Sequence, residues 1–308
     1  MNRKRTTISL LILFILGVFC FWGVRSFHEA ESDKNVEHIK YSLGPYFIPI
    51  NISKFTASNQ PCFPVKIEGH SVSVMLDLGF RGHFSFTTEF LKTIEKKTYI
   101  QSTKMYGLRG SEYVENLFQI PKIIAGSIFF ANSEVHEHTD SSHVDANLRK
   151  VSNECSKREP GIIGWEVFQN TNLLLDLKNS KIAFCDSLST LGCEGYKVEE
   201  FVKVPLLIDR GLIECEVEIA GKLVRCMLDT GATINILNTD KNEMNLDNAE
   251  RCESFVIGSR DFGPIDFYSV PIRMPIQIDA MLGMDFFEEH CVFIDFSEDC
   301  IYFRKHSE

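Results

Sequence analysis

The sequence predicts a mainly β protein whose chain folds as two similar lobes packed together as an intramolecular pseudo-dimer. Three observations predict this. Beyond residue 45, short segments rich in β-branched and aromatic residues recur between turn residues. A gapless internal repeat sets residues 65–79 (VKIEGHSVSVMLDLG) against 217–231 (VEIAGKLVRCMLDTG), with 8 of 15 positions identical. Both copies end in an Asp-x-Gly turn, Asp77-Leu78-Gly79 and Asp229-Thr230-Gly231.

At 308 residues the chain accommodates one large domain or two of ordinary size. Its 44% hydrophobic and 24% charged residues suit a chain that buries a core. The formal net charge of −10 disfavours polyanions, so nucleic acid is excluded as a partner.

The N-terminus reads as separate from the fold. Arg3, Lys4 and Arg5 precede an uncharged, mostly apolar run over 8–24. No small-x-small cleavage pattern follows it, which favours an uncleaved signal anchor over residues 1–26 against a cleaved signal peptide. The basic residues keep that end cytoplasmic and place the rest outside the cytoplasm. Residues 27–45 are polar and charged and read as a tether.

The first lobe spans 46–186. Strands are expected at 46–52, 62–67 and 72–76, with a short helix at 87–97. The polar stretch 133–160 reads as a surface insertion. His136, His138 and His143 fall in it, and a solvated loop is the favoured reading over a metal site. A linker covers 187–202, and the second lobe spans 203–308. Its strands are expected at 212–219, 223–228, 255–257, 265–272 and 292–296, with a helix beginning at 286–290. The repeat extends downstream: Ile162-Ile163-Gly164 matches Met281-Leu282-Gly283, and Leu174-Leu175-Asp176 matches Phe293-Ile294-Asp295. Asp176 and Asp295 read as hydrogen-bonding residues of turns. Of ten cysteines, Cys185 with Cys193 and Cys291 with Cys300 are close enough in sequence to pair, although spacing does not decide connectivity. Asn51-Ile52-Ser53 fits a glycosylation acceptor.

The chemistry follows from the two Asp-x-Gly turns. Two carboxylates brought face to face cannot both ionise easily and share a proton. One then activates water while the other protonates a carbonyl, which is general acid–base hydrolysis without a metal or organic cofactor. Gly79 and Gly231 permit close backbone approach, and the Thr230 hydroxyl can tie one turn to the other. The apolar-apolar-Gly segments ending at Gly164 and Gly283 are expected to support the turns from behind.

Leu228-Asp229-Thr230-Gly231-Ala232, together with Ala280-Met281-Leu282-Gly283-Met284-Asp285, resembles the retropepsin-like aspartic proteases. The match is good over about 205–305 and looser over 47–185, and two lobes in one chain are similar to the bilobal pepsin arrangement. The resemblance implies an acid-protease fold, with Asp77 and Asp229 as the catalytic pair and a peptide or protein segment as substrate. It also implies flaps. Tyr106 and Gly107 occupy that place in the first lobe, and Gly258 in the second. The first lobe departs from the pattern, since Leu78 replaces the hydroxyl residue and Phe80 a small one. A large ring beside Asp77 would fill the cleft or desolvate the carboxylate.

The expectation is therefore a membrane-anchored aspartic endopeptidase acting as a monomer. Two alternatives stand beside it: a protease-like module that binds peptides without cutting them, and a homodimer that uses the second lobe alone.

Overall fold

Two equivalent hairpins organise the molecule, and each delivers one Asp-x-Gly turn. The computed structural model describes residues 45–54, 59–106, 112–138, 161–239, 245–273 and 277–306. In the first half β1 (Phe47–Asn51) and β2 (Ser53–Lys54) precede the hairpin of β3 (Pro61–Ile67) and β4 (His70–Asp77). Glu68 and Gly69 turn it with φ of 50° and 86°. Such two-residue turns match the twist of the flanking strands. Phe63, Val65 and Ile67 of β3 are buried while Pro64 and Lys66 are exposed, the period-2 pattern of a strand with one face in a core.

After the turn come β5 (Phe84–Thr87) and the four-residue helix α1 (Thr88–Leu91). Thr87 caps α1 by accepting the Phe90 N–H at 3.3 Å. The helix expected to reach residue 97 stops here, because the Glu95 and Lys96 N–H groups turn to the Glu68 carboxylate at 2.8 Å each. A long hairpin follows, β6 (Thr98–Tyr106) and β7 (Glu112–Ala125), then β8 (Ile128–His138), β9 (Gly161–Gly164), β10 (Asn172–Asp176) and β11 (Lys181–Cys185). β8 corrects the expected insertion. Residues 133–138 are sheet, and His136 and His138 are buried at 6% and 2% exposure. Glu134 is exposed and Glu137 partly so, and with two buried histidines the segment is polar enough to read as a loop although it is a strand.

The linker is also structured. Helix α2 (Leu188–Cys193), capped by Ser187, leads through a 3-10 turn at Val198–Glu200 into β12 (Val202–Pro205). In the second half β13 (Leu207–Asp209) precedes the hairpin of β14 (Leu212–Ile219) and β15 (Lys222–Leu228). Its turn residues, Ala220 and Gly221, repeat the positive φ of the first hairpin, at 49° and 79°. Then follow β16 (Ile236–Asn238), β17 (Asn245–Cys252), β18 (Phe255–Ile257), β19 (Arg260–Asp261), β20 (Ile265–Val270) and β21 (Ala280–Leu282). Helix α3 (Met284–Glu289), β22 (His290–Asp295) and β23 (Cys300–Lys305) close the chain.

Three sheets result. One lobe sheet has the order β2-β3-β4-β9-β5-β8-β7-β6, with β3 also meeting β7. The other runs β17-β20-β16-β21-β15-β14-β18-β19, with β13 beside β14. In both, the strand leading to the Asp pairs in parallel with the apolar-apolar-Gly strand (β4 with β9, β15 with β21). That strand then pairs antiparallel with the strand that follows the turn (β9 with β5, β21 with β16). The third sheet, β1-β11-β10-β22-β23-β12, takes strands from both halves, joined at β10 and β22. The architecture is a mainly β, bilobal fold with two barrel-like sheets. A continuous core runs through both lobes, including Phe63, Phe84 and Phe168 on one side and Phe255, Phe286 and Phe303 on the other. α2 and the linker residues Tyr196, Val198 and Phe201 cover an outer cluster of Leu174, Cys291 and Phe293 on the shared sheet.

The cysteine pairings expected from spacing are not made. Cys185, Cys193, Cys291 and Cys300 are all free thiols. Cys291 faces Arg304 and Cys300 faces Asp295, at opposite ends of the β22–β23 hairpin, so the two cannot reach each other. The expected membrane anchor over 1–26 lies outside the described residues, and among the described residues no helix is long and apolar enough to cross a membrane.

Candidate active site

β4 ends in Asp77 and β15 runs into Asp229, and the lobe packing brings these two turns together. Each carboxylate lies over the glycine of the other turn. A Cβ on Gly79 would stand 2.6 Å from Asp229 Cγ, and one on Gly231 would stand 2.5 Å from Asp77 Cγ. Only glycine permits this approach, whatever its φ. The carboxyl groups hydrogen-bond to each other. Both are densely surrounded by protein yet keep partial exposure, as groups at the floor of a recess do.

The two members of the pair are not equivalent. Asp229 accepts the Gly231 N–H at 2.8 Å and the Ala232 N–H at 3.2 Å, and Gly79 N–H adds to these. Asp77 accepts the Gly79 N–H at 2.8 Å, with help from Phe80. Burial raises both carboxyls above the usual range, and the nearby Asp229 charge raises Asp77 further. Asp229, which draws in more N–H donors, is the member whose ionised form the site favours, and Asp77, raised further, is the member that favours the proton. The two titrate as a unit.

Thr230 ties the turns together from one side only. It is fully buried, accepts the Leu78 N–H at 3.1 Å and donates to the Leu76 carbonyl at 2.7 Å. Leu78 returns no such bond, because its side chain has no hydroxyl to offer; it packs in the common core instead. Other contacts also cross between the halves. The Gln60 amide donates to the Gly231 carbonyl, and Trp165 Nε1 donates to the Gly211 carbonyl at 2.9 Å. Nothing in the local sequence marked Gln60, since its partner lies 171 residues away.

Gly164 and Gly283 sit directly behind the turns. A Cβ on Gly164 would stand 2.2 Å from the Gly82 carbonyl oxygen, and one on Gly283 would stand 2.2 Å from that of Ile234. Gly283 N–H donates to the buried Asn235 side chain at 3.0 Å, and Met284 N–H donates to the Ala232 carbonyl at 2.9 Å. The Phe80 ring packs against Gly164 and against His136, at 5.4 Å between ring centroids. Its bulk is thus absorbed by the first-lobe interior, contrary to the expectation that it fills the cleft.

The flap expectations divide. Tyr106 is the last residue of β6 and Gly107 lies outside the described residues. Across the hairpin, half-buried Tyr113 on β7 comes near enough to Asp77 for that carboxylate to help burial and Glu115 push the phenol up. Sequence reading missed Tyr113, although its period-2 relation to Glu115 and Leu117 marks the inward face of β7. Gly258 does not stand free as a flap tip. Its Cβ would lie 2.9 Å from Val202 Cγ1, so its short turn rests on β12. Among the described residues no group of three metal-binding side chains converges.

No family model matches the chain, and no curated protein matches it in sequence. Its fold is similar to the basic 7S globulin from soybean, at TM-score 0.55 and 10% identity over 86% of this chain and 96% of that one. It is also similar to conglutin gamma, a basic 7S globulin from lupine seeds, at TM-score 0.57 and 10% identity over the same shares. Both have a pepsin-like, bilobal aspartic-protease fold. The likeness establishes that fold for this chain, and does not single out a retropepsin.

Proposed function

We propose that this protein is an aspartic-type endopeptidase. The observation that carries the reading is the hydrogen-bonded pair Asp77 and Asp229, each seated over the other turn's glycine. In the proposed reaction a water lies between the pair and an extended peptide. Asp229 takes a proton from the water as its oxygen attacks the scissile carbonyl carbon, and Asp77 gives its proton to the carbonyl oxygen. Collapse of the resulting diol returns a proton to the leaving nitrogen. The carboxylates meet within one chain, so the pair needs no second copy. The apolar run at 8–24 supports membrane attachment with the lobes outside the cytoplasm.

The test is cleavage of a generic peptide mixture between pH 3 and 8 by the full chain, beside Asp77→Asn and Asp229→Asn. Either substitution is expected to abolish hydrolysis while the fold persists. Undiminished cleavage by the Asp229→Asn protein rejects the reading.

A second reading is a peptide-binding module without hydrolysis. It is favoured by Leu78, which leaves the tie between the turns one-sided, and by the globulins that share the fold. Saturable peptide binding with no cleavage across the same pH range supports it.

A further inference from the structure

A chain of contacts runs from the Asp77 turn to β7, and the carboxylate pair does not account for it. Phe80 donates its N–H to the Asp77 carbonyl at 3.2 Å. Its ring, 8% exposed, stands edge-on to His136 at an interplanar angle of 82°. Gly82, with φ of 138°, lets the three approach: a Cβ there would lie 3.0 Å from His136 Nε2 and 3.2 Å from Phe80 Cε1. His136 Nδ1 lies 3.1 Å from Glu115 Oε2, and both side chains are buried. Glu115 belongs to β7, the return strand of the long hairpin. Two residues before it on the same face lies half-buried Tyr113.

We propose that His136 and Glu115 are positioning residues that couple the β6–β7 hairpin to the Asp77 turn. The proposal rests on the endopeptidase reading. Hairpin movement over a bound peptide passes from Glu115 through His136 to Phe80, and from the Phe80 backbone to the turn that carries the carboxyl. Strand pairing alone already holds β7 to β8, from Asn116 opposite Glu137 to Ala125 opposite Ile128. An apolar pair would fill the same space without desolvating a carboxylate and an imidazole. What the polar pair adds is direction: its hydrogen bond fixes the imidazole plane against which the Phe80 ring rests.

The test is steady-state peptide cleavage by the full chain, with thermal melting of each variant. Glu115→Ala and His136→Ala are expected to lower kcat about tenfold and leave KM within about twofold. Glu115→Gln, which keeps an acceptor for the imidazole, is expected to retain most of kcat. Phe80→Leu is expected to share the Ala variants' loss and stands in for them if they fail to fold. Folded Ala variants, or a Phe80→Leu protein, with wild-type kcat overturn the coupling, as does an equal loss in Glu115→Ala and Glu115→Gln. The same variants are titrated with a peptide whose scissile carbonyl is replaced by a secondary alcohol. Wild type that binds this probe but cleaves nothing rejects the endopeptidase reading alone. Coupling then stands if Glu115→Ala weakens the probe about tenfold, and falls if its affinity is unchanged. A chain that neither cleaves nor binds overturns both.

Discussion

Replacing Thr230 by Val tests whether one hydroxyl holds the two turns together. The exchange keeps the shape and removes the oxygen. The Leu78 N–H then loses its acceptor and the Leu76 carbonyl loses a donor, both among residues with no solvent exposure. A made hydrogen bond contributes about 1 kcal/mol net, and a buried group left unmade costs about 1–3 kcal/mol. Two affected groups, the carbonyl being the cheaper, fall in the lower half of that range and give a loss of about 2–4 kcal/mol. A domain of this size loses about 2–4 °C of melting temperature per kcal/mol, so Tm is expected to fall by roughly 5–15 °C. Thermal unfolding followed by circular dichroism reads this, with Thr230→Ser alongside. Ser keeps the oxygen and drops one methyl, so it is expected to lose only about 1 kcal/mol. If Val and Ser variants melt together, or Val melts within a degree of wild type, the hydroxyl is not the tie between the turns.

Other substitutions probe separate parts of the site. Asp77 has a raised folded pKa, so the stability it contributes is present below its unfolded value and lost as pH rises through the folded one; Asp77→Asn is accordingly expected to melt above wild type at pH 7 and level with it at pH 3. Gly164→Ala forces a Cβ to 2.2 Å from the Gly82 carbonyl oxygen; urea unfolding is expected to show a loss of about 3 kcal/mol, and an unchanged midpoint would mean that β9 does not press on the turn as described. Glu214, 1% exposed, has its carboxyl pushed up to about 7, chiefly by burial and against the pull of Arg225. Its contribution is present at acid pH and fades as pH rises towards and past 7, so Glu214→Gln is expected to stabilise the protein at pH 8 by on the order of 2 kcal/mol and not at pH 4. Melting temperatures of both proteins across that range check it, and a pH-independent difference defeats the argument.

The repeated hairpins were legible because their signals are local. Alternating burial in β3 and β14, paired turn residues at Glu68-Gly69 and Ala220-Gly221, and a following Asp-x-Gly all lie within some fifteen residues of one another. The bounds of β14 and β18 agree with those expected from the chain alone. The run from Ser133 to His138 was misread because most of its buried residues (Ser133, His136 and His138) are polar and the adjacent Val135 and His136 are both buried, so no hydropathy alternation marks the strand. The helix expected to run on from Thr87 was misread for another reason: the Glu68 carboxylate, 27 residues before Glu95, takes the N–H groups that a longer helix needs. Phe80 looked obstructive in sequence because no local rule says which way its ring turns.

The amino-acid order by itself determined the two-lobe plan and the residues that would face each other across it. Strand period, turn chemistry and repetition are properties of short stretches and survive without any knowledge of partners. Tertiary packing alone decided that Asp229 draws in more N–H donors than Asp77, that Thr230 reaches over unaided, and that Glu115 and His136 stand behind the first turn. Those outcomes depend on distances between atoms far apart along the chain. They are set only when both halves share the sheet through β10 and β22 and press their cores together.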